Sequence, residues 1–154
     1  METSIKDVFA AGDVCSANWQ RQELWFQMRL WTQAHQMGRY AAHSVASRFT
    51  GTDHKMFLNF EVFTHVTSFF GHKVVLLGLF KEQNLEQYKI LLRVEEGKQF
   101  IKLILKEGRV KGAILIGETG LEETIENLIT GQLDVSRIED NLLDVGVDIE
   151  DYFD

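Results

Sequence analysis

Phe100–Leu105 and Val110–Ile116 are two apolar runs separated only by Lys106-Glu107-Gly108-Arg109, and no other feature restricts the fold of this chain so strongly. Short runs rich in Ile, Leu and Val read as buried strands, and Gly108 suits a tight reverse turn, so the pair predicts an antiparallel hairpin. Further strand patterns lie upstream. Phe60–Val66 mixes β-branched and aromatic residues, Lys73–Phe80 has the pattern of a buried strand, and Tyr88–Val94 runs into the hairpin through a turn at Glu96-Gly97. A helix follows. Thr119 and Glu122 have capping-box spacing, Glu123 falls in the first turn, Gly131 lies past the end, and Leu121, Ile125, Leu128 and Ile129 form the apolar stripe. The expected fold class is α+β, with about five antiparallel strands and one helix.

The N-terminal third has a different pattern. Leu30, Ala34, Met37, Ala41 and Val45 share one helical face, predicting a helix from near Arg29 to near Ser47. Small residues Ala34, Gly38, Ala42 and Ala46 recur every four positions, which allows close packing. Gly38 costs about 1 kcal/mol of helix stability relative to Ala, so a packing reason is expected for it. Phe49–Lys55 is the boundary. With 154 residues and 45% apolar side chains, the chain can bury one sizeable core plus an appendage. The reading divides it into residues 1–48, 56–131 and an acidic tail, 132–154.

Net charge is −7, yet Glu139 to Asp154 holds seven acids and no base, leaving sixteen acids against sixteen bases before it. A balanced body with an acidic end offers no footprint for direct nucleic-acid binding. The longest apolar run, Val74–Phe80 with Gly78 inside, is far short of the roughly 20 residues of a membrane span, and the start has no signal-peptide pattern, so no membrane partner is expected. The one cysteine, Cys15, suggests a reducing compartment, with a cytoplasmic or nuclear location expected.

Thr3-Ser4-Ile5-Lys6-Asp7-Val8-Phe9-Ala10-Ala11-Gly12-Asp13 reads as an apolar strand, Val8–Ala11, closed by a glycine and a carboxylate. Ligands of open α/β sheets bind at such carboxyl ends. The spacing T-S-x-x-x-V-F-A-x-G-D resembles the second FAD-binding motif of the class I pyridine nucleotide-disulfide oxidoreductase flavoproteins. The segment Trp25 to Ala34 and the ending Asp148-Ile149-Glu150-Asp151-Tyr152-Phe153-Asp154 resemble a member of that family as well, in its carboxyl-terminal part. The strand departs from the family where Lys6 replaces a usual proline.

The resemblance implies the last strand and helix of an FAD-binding domain followed by the family's antiparallel carboxyl-terminal domain. Gly12 and Asp13 would contact FAD, and Leu30, Trp31 and Thr32 at the helix start would lie nearest its pyrimidine ring. It further implies NAD(P)H as the parent protein's reductant, a part in oxidative-stress defence, and a protein partner such as the tRNA ligase complex. No G-x-G-x-x-G occurs in these residues, so the chain alone is expected to be catalytically incomplete. No C-x-x-C pair or His-Glu dyad is recognisable, and thiol exchange at Cys15 has poor support. His35, His43, His54, His65 and His72 show no metal-ligand spacing, so neither a metal site nor a catalytic residue is assigned. Trp25, Phe26 and Trp31 also read as core or interdomain packing residues, and for each tryptophan taken singly packing is the better reading. The alternative function is a non-catalytic protein-interaction module, the unit from Phe57 to Gly131 with its acidic tail.

Overall fold

The computed structural model describes residues 1–18, 23–24, 26–52, 62–82 and 85–144. Trp25, His54, the first two residues of the Phe60–Val66 run and the tail from 145 lie outside them. The chain divides into two compact units, Met1–Phe60 and Glu61–Asp154.

The first unit is built on one helix, α1, Trp31–Thr50. Leu30 is extended at its start, and Gly51, with φ 67°, ends it in the left-handed conformation, three residues beyond the expected Ser47. Gln33 and Met37 are its buried residues. Of the small residues, Ala34 lies against Gly12, whereas a Cβ added at Gly38 meets nothing within 4 Å. The packing reason expected for Gly38 is absent among the described residues, and Gly38→Ala should raise helix stability by about 0.5–1 kcal/mol, measured by thermal melting.

Val8–Ala11 does not make a strand; it contributes one bridge, Glu2↔Phe9. Its backbone finds local partners instead. Thr3 N–H donates to Val8 O at 2.8 Å and Ala10 N–H to Met1 O at 3.1 Å, so the segment doubles back on the chain start. Arg48, in the last turn of α1, forms ion pairs with Glu2 and Asp7 and lies 5.5 Å from the centroid of the Phe9 ring.

The second unit is a five-stranded antiparallel sheet: β1 Thr64–Phe69, β2 His72–Gly78, β3 Lys89–Glu95, β4 Gln99–Lys106 and β5 Arg109–Ile116, in spatial order β1-β2-β5-β4-β3. The β4–β5 hairpin closes through Glu107 and Gly108, both at positive φ (52° and 67°), the signature of a type I′ turn. Register builds the core in rows: Val75–Leu115–Ile101 and Leu77–Ala113–Leu103, all at most 2% exposed. The helix α2, Glu122–Gly131, lays Ile125, Leu128 and Ile129 against β2 and β5.

The unit continues past Gly131, where the tail was expected to begin. Val135 and Leu142 are each 1% exposed, Val135 N–H donates to Gly108 O at 2.8 Å, and Arg93 Nη1 donates to Leu143 O at 3.2 Å.

The capping box does not form as expected. Leu121 stands at the cap of α2 without a side-chain hydrogen bond, and Glu122 takes a hydrogen bond from Lys73 Nζ at 2.8 Å. Partial burial pushes the Glu122 carboxyl up, but the Lys73 ammonium, the Glu122 N–H and the Thr119 hydroxyl together hold it below its ordinary 4.5. Glu2 is lowered by the Asp7 N–H and by Arg48, and Asp134 is lowered from 3.8 by the Ser136 hydroxyl and N–H. Groups with depressed folded pKa values stabilise above their unfolded values and lose that contribution as pH falls through the folded ones. The melting temperature should therefore fall as pH drops below about 4.5, and Glu122→Gln should reduce this dependence in pH-series melts.

Candidate functional site

Gly12 opens a short 3-10 turn, Gly12–Val14, at φ 79°. It is buried, and a Cβ there would come within 3.2 Å of Ala34 Cβ in the first turn of α1. A side chain there is strained by the positive φ, and Ala34 would have to give way by a few tenths of an ångström. Arg29 Nη1 donates to Asp13 O at 2.6 Å. Gln27 bridges the next residues, donating to Cys15 O and accepting from Ala17 N–H, both at 2.8 Å. Gln33 Oε1 accepts from Met28 N–H at 2.5 Å. These contacts fix the Gly12-Asp13 turn beside the start of α1, so the structure brings Gly12 and Asp13 together with Leu30, Trp31 and Thr32.

The Asp13, Trp31 and Thr32 side chains are exposed and Leu30 is half-buried. Trp31, 80% exposed, stacks on His35 with ring centroids 5.6 Å apart. The first turn of α1 has no acidic residue and no side-chain cap. Its N–H groups and the partial positive charge of the helix end suit an anionic ligand. Arg29, Gln27 and Gln33 were not anticipated from sequence; they act through backbone atoms and leave no motif.

Cys15 is half-buried, with Sγ 3.5 Å from Gly12 O. No cluster of metal-ligating side chains exists among the described residues. No described helix is long and apolar enough to cross a membrane. In the second unit a cleft of about 280 Å³ lies among His72, Lys73, Glu95, Lys98 and Glu118. It mixes both charge signs, with Lys73 already committed to Glu122.

Residues 68–133 match the family model described as "Rubredoxin NAD+ reductase C-terminal domain", which places the sheet unit in a class of oxidoreductase carboxyl-terminal domains. The fold agrees: the crystal structure of NADH:rubredoxin oxidoreductase from Clostridium acetobutylicum superposes with a TM-score of 0.56 at 22% identity, over 87% of this chain and 32% of that one. Over its full length the chain is 51% identical to "Pyridine nucleotide-disulfide oxidoreductase domain-containing protein 1" of Homo sapiens. It is 52% identical to the Drosophila melanogaster protein and 44% identical to the Dictyostelium discoideum protein of the same name. The chain belongs with them in the pyridine nucleotide-disulfide oxidoreductase family. It spans about a third of the length of these relatives, at 31–33%.

Proposed function

We propose that this chain supplies one wall of an FAD site, together with the appended carboxyl-terminal domain, in an FAD-dependent NAD(P)H oxidoreductase. The single observation carrying the reading is the juxtaposition of the Gly12-Asp13 turn with the uncapped start of α1. The bound flavin supplies the electron-transfer chemistry. Asp13 offers a carboxylate to ribityl or pyrophosphate-side hydroxyls. Gly12 keeps the backbone low enough for close approach, and the α1 N–H groups at Trp31 and Thr32 favour negative charge at the pyrimidine end. Leu30 and Trp31 exclude water beside it.

On this reading the cradle for the FAD pyrophosphate and the nicotinamide site belong to the remainder of the parent protein. The chain alone is catalytically incomplete. NAD(P)H is the reductant, with a role in oxidative-stress defence, a protein partner such as the tRNA ligase complex, and a cytoplasmic or nuclear setting.

The test is Asp13→Ala in a full-length protein containing this chain. Loss of a charged hydrogen bond worth about 1.5–3 kcal/mol predicts roughly tenfold or greater weakening of flavin retention, measured as the flavin-to-protein absorbance ratio after gel filtration. Full retention would exclude the assignment. The chain expressed by itself should elute colourless.

A further inference from the structure

Among the described residues, no strand pairs with the outer side of β1. The strand reads Thr64-His65-Val66-Thr67-Ser68-Phe69, without the Lys, Arg, Asp, Glu or Pro that normally protects an edge from further pairing. The other edge, β3, is guarded: Lys89 pairs with Glu139 and Asp140, and Arg93 Nη1 donates to Leu143 O at 3.2 Å. The hydrogen-bond phase of β1 follows from its neighbour. Gly78 N–H donates to Phe63 O at 2.8 Å, and the register continues as His65↔Leu76, Thr67↔Val74 and Phe69↔His72. Backbone groups alternate in direction along an antiparallel strand. Residues 63, 65, 67 and 69 therefore turn theirs toward β2, and Thr64, Val66 and Ser68 direct N–H and C=O outward.

Side chains along the edge specify what an added strand should carry. Val66 continues the core row through Val75, Leu115 and Ile101, so Thr64, Val66 and Ser68 share the sheet face that α2 covers. Those three core residues are at most 2% exposed, whereas Val66 is 58% exposed; an apolar residue opposite it would complete the row. A carboxylate of α2 reaches the same edge, where Thr64 Oγ1 donates to Glu126 Oε1 at 3.1 Å. Glu122 is neutralised by Lys73, but Glu126 pairs with no basic side chain among the described residues. On the opposite face Phe69 is 65% exposed and meets the Phe70 ring edge-on, with centroids 4.5 Å apart.

We infer that the β1 edge accepts an extended, basic segment of another protein as a further antiparallel strand. Three positions select it: Lys or Arg opposite Thr64, an apolar residue opposite Val66, and a second apolar residue opposite Phe69. From its amino end the segment therefore runs apolar, any, any, apolar, any, basic. Backbone pairing gives partners to the outward groups of Thr64, Val66 and Ser68, and the side chains supply the choice of sequence. The basic residue follows from Glu126, since a side chain directly opposite Thr64 starts about 5 Å from it and extends over the same face. An acidic segment would instead meet Glu126 as a like charge. An edge of six residues is smaller than a standard interface, so binding is weak and reversible.

The test titrates the isotopically labelled full chain with the acetylated, amidated heptapeptide Val-Thr-Thr-Val-Thr-Lys-Thr, followed by nuclear magnetic resonance. Amide signals of Thr64, Val66 and Ser68 should shift while those of β3 stay in place. N-methylation of the peptide valine opposite Val66 removes a donor that faces β1, and should weaken binding about tenfold or more. N-methylation of the threonine that follows it, whose N–H points away from β1, should change binding by less than about threefold. Glu126→Gln should weaken binding of this peptide about threefold, and leave unchanged that of a peptide with Gln in place of Lys. Absence of β1 shifts at millimolar peptide, or equal binding of the two methylated peptides, overturns the inference. A Glu126→Gln chain that binds the lysine peptide undiminished overturns the basic position. Shifts at β1 that follow protein concentration without peptide would give the edge to a second copy and overturn it as well.

Discussion

Gly112→Ala is expected to destabilise the sheet unit by about 3 kcal/mol or more, among the largest effects of any single methyl group added to this chain. Gly78 and Gly112 face each other across β2 and β5. Just beyond them Leu79 N–H donates to Lys111 O at 2.9 Å, which draws the two backbones together. A Cβ at Gly112 would stand 2.4 Å from Leu79 C, 2.5 Å from its O and 2.7 Å from its N. All three are backbone atoms, so no side-chain rotation relieves the overlap. β5 would have to move away from β2, opening rows in which Leu77, Ala113 and Leu103 are at most 1% exposed. Urea unfolding followed by circular dichroism measures the cost, and a loss under about 1 kcal/mol would mean that the strands separate easily here.

The hairpin and the neighbouring strands were legible because their signals are local. Apolar runs at strand length, Gly97 and Gly108 at turns, and the Ile125–Leu128–Ile129 stripe each specify one element without help from the rest. The errors arise where the structure supplies a partner that the local pattern does not name. Thr119 and Glu122 have capping spacing, but Lys73 on β2 takes the Glu122 carboxylate. Val8–Ala11 has strand composition, but residues 1–5 satisfy its backbone locally. Nothing in the spacing of Gly78 and Gly112 signals that they meet, since their contact is set by sheet order.

The candidate site was legible in part. Gly12 and Asp13 stood out by motif, and Leu30, Trp31 and Thr32 followed from the family resemblance. The clamps that hold them together did not. Arg29 reaches the Asp13 carbonyl and Gln27 spans Cys15 and Ala17 through backbone atoms, which any residue in those positions would offer. Such contacts fix geometry without requiring a recognisable pair of side chains.

Ending the chain at Gly131 is expected to cost the sheet unit about 3–6 kcal/mol relative to ending it at Asp144. The sequence from Leu133 to Asp144 mixes scattered apolar residues with acids and has no helical or strand period, so by pattern it reads as tail. Packing contradicts that. Val135 and Leu142 are each 1% exposed, and burying side chains of this size is worth about 1.5–3 kcal/mol apiece. Val135 N–H also satisfies the Gly108 carbonyl of the β4–β5 turn. Gln132 accepts from Lys111 Nζ and donates to Ile129 O at 2.6 Å. Its loss therefore removes an oxygen partner from a lysine only 4% exposed, a kind of change that costs more than burial area suggests. Small domains are stable by about 5–15 kcal/mol in all, so the shorter chain should melt far below the longer or lack a cooperative transition. Equal melting temperatures for the two would show that the domain ends at Gly131 and that residues 132–144 only decorate it.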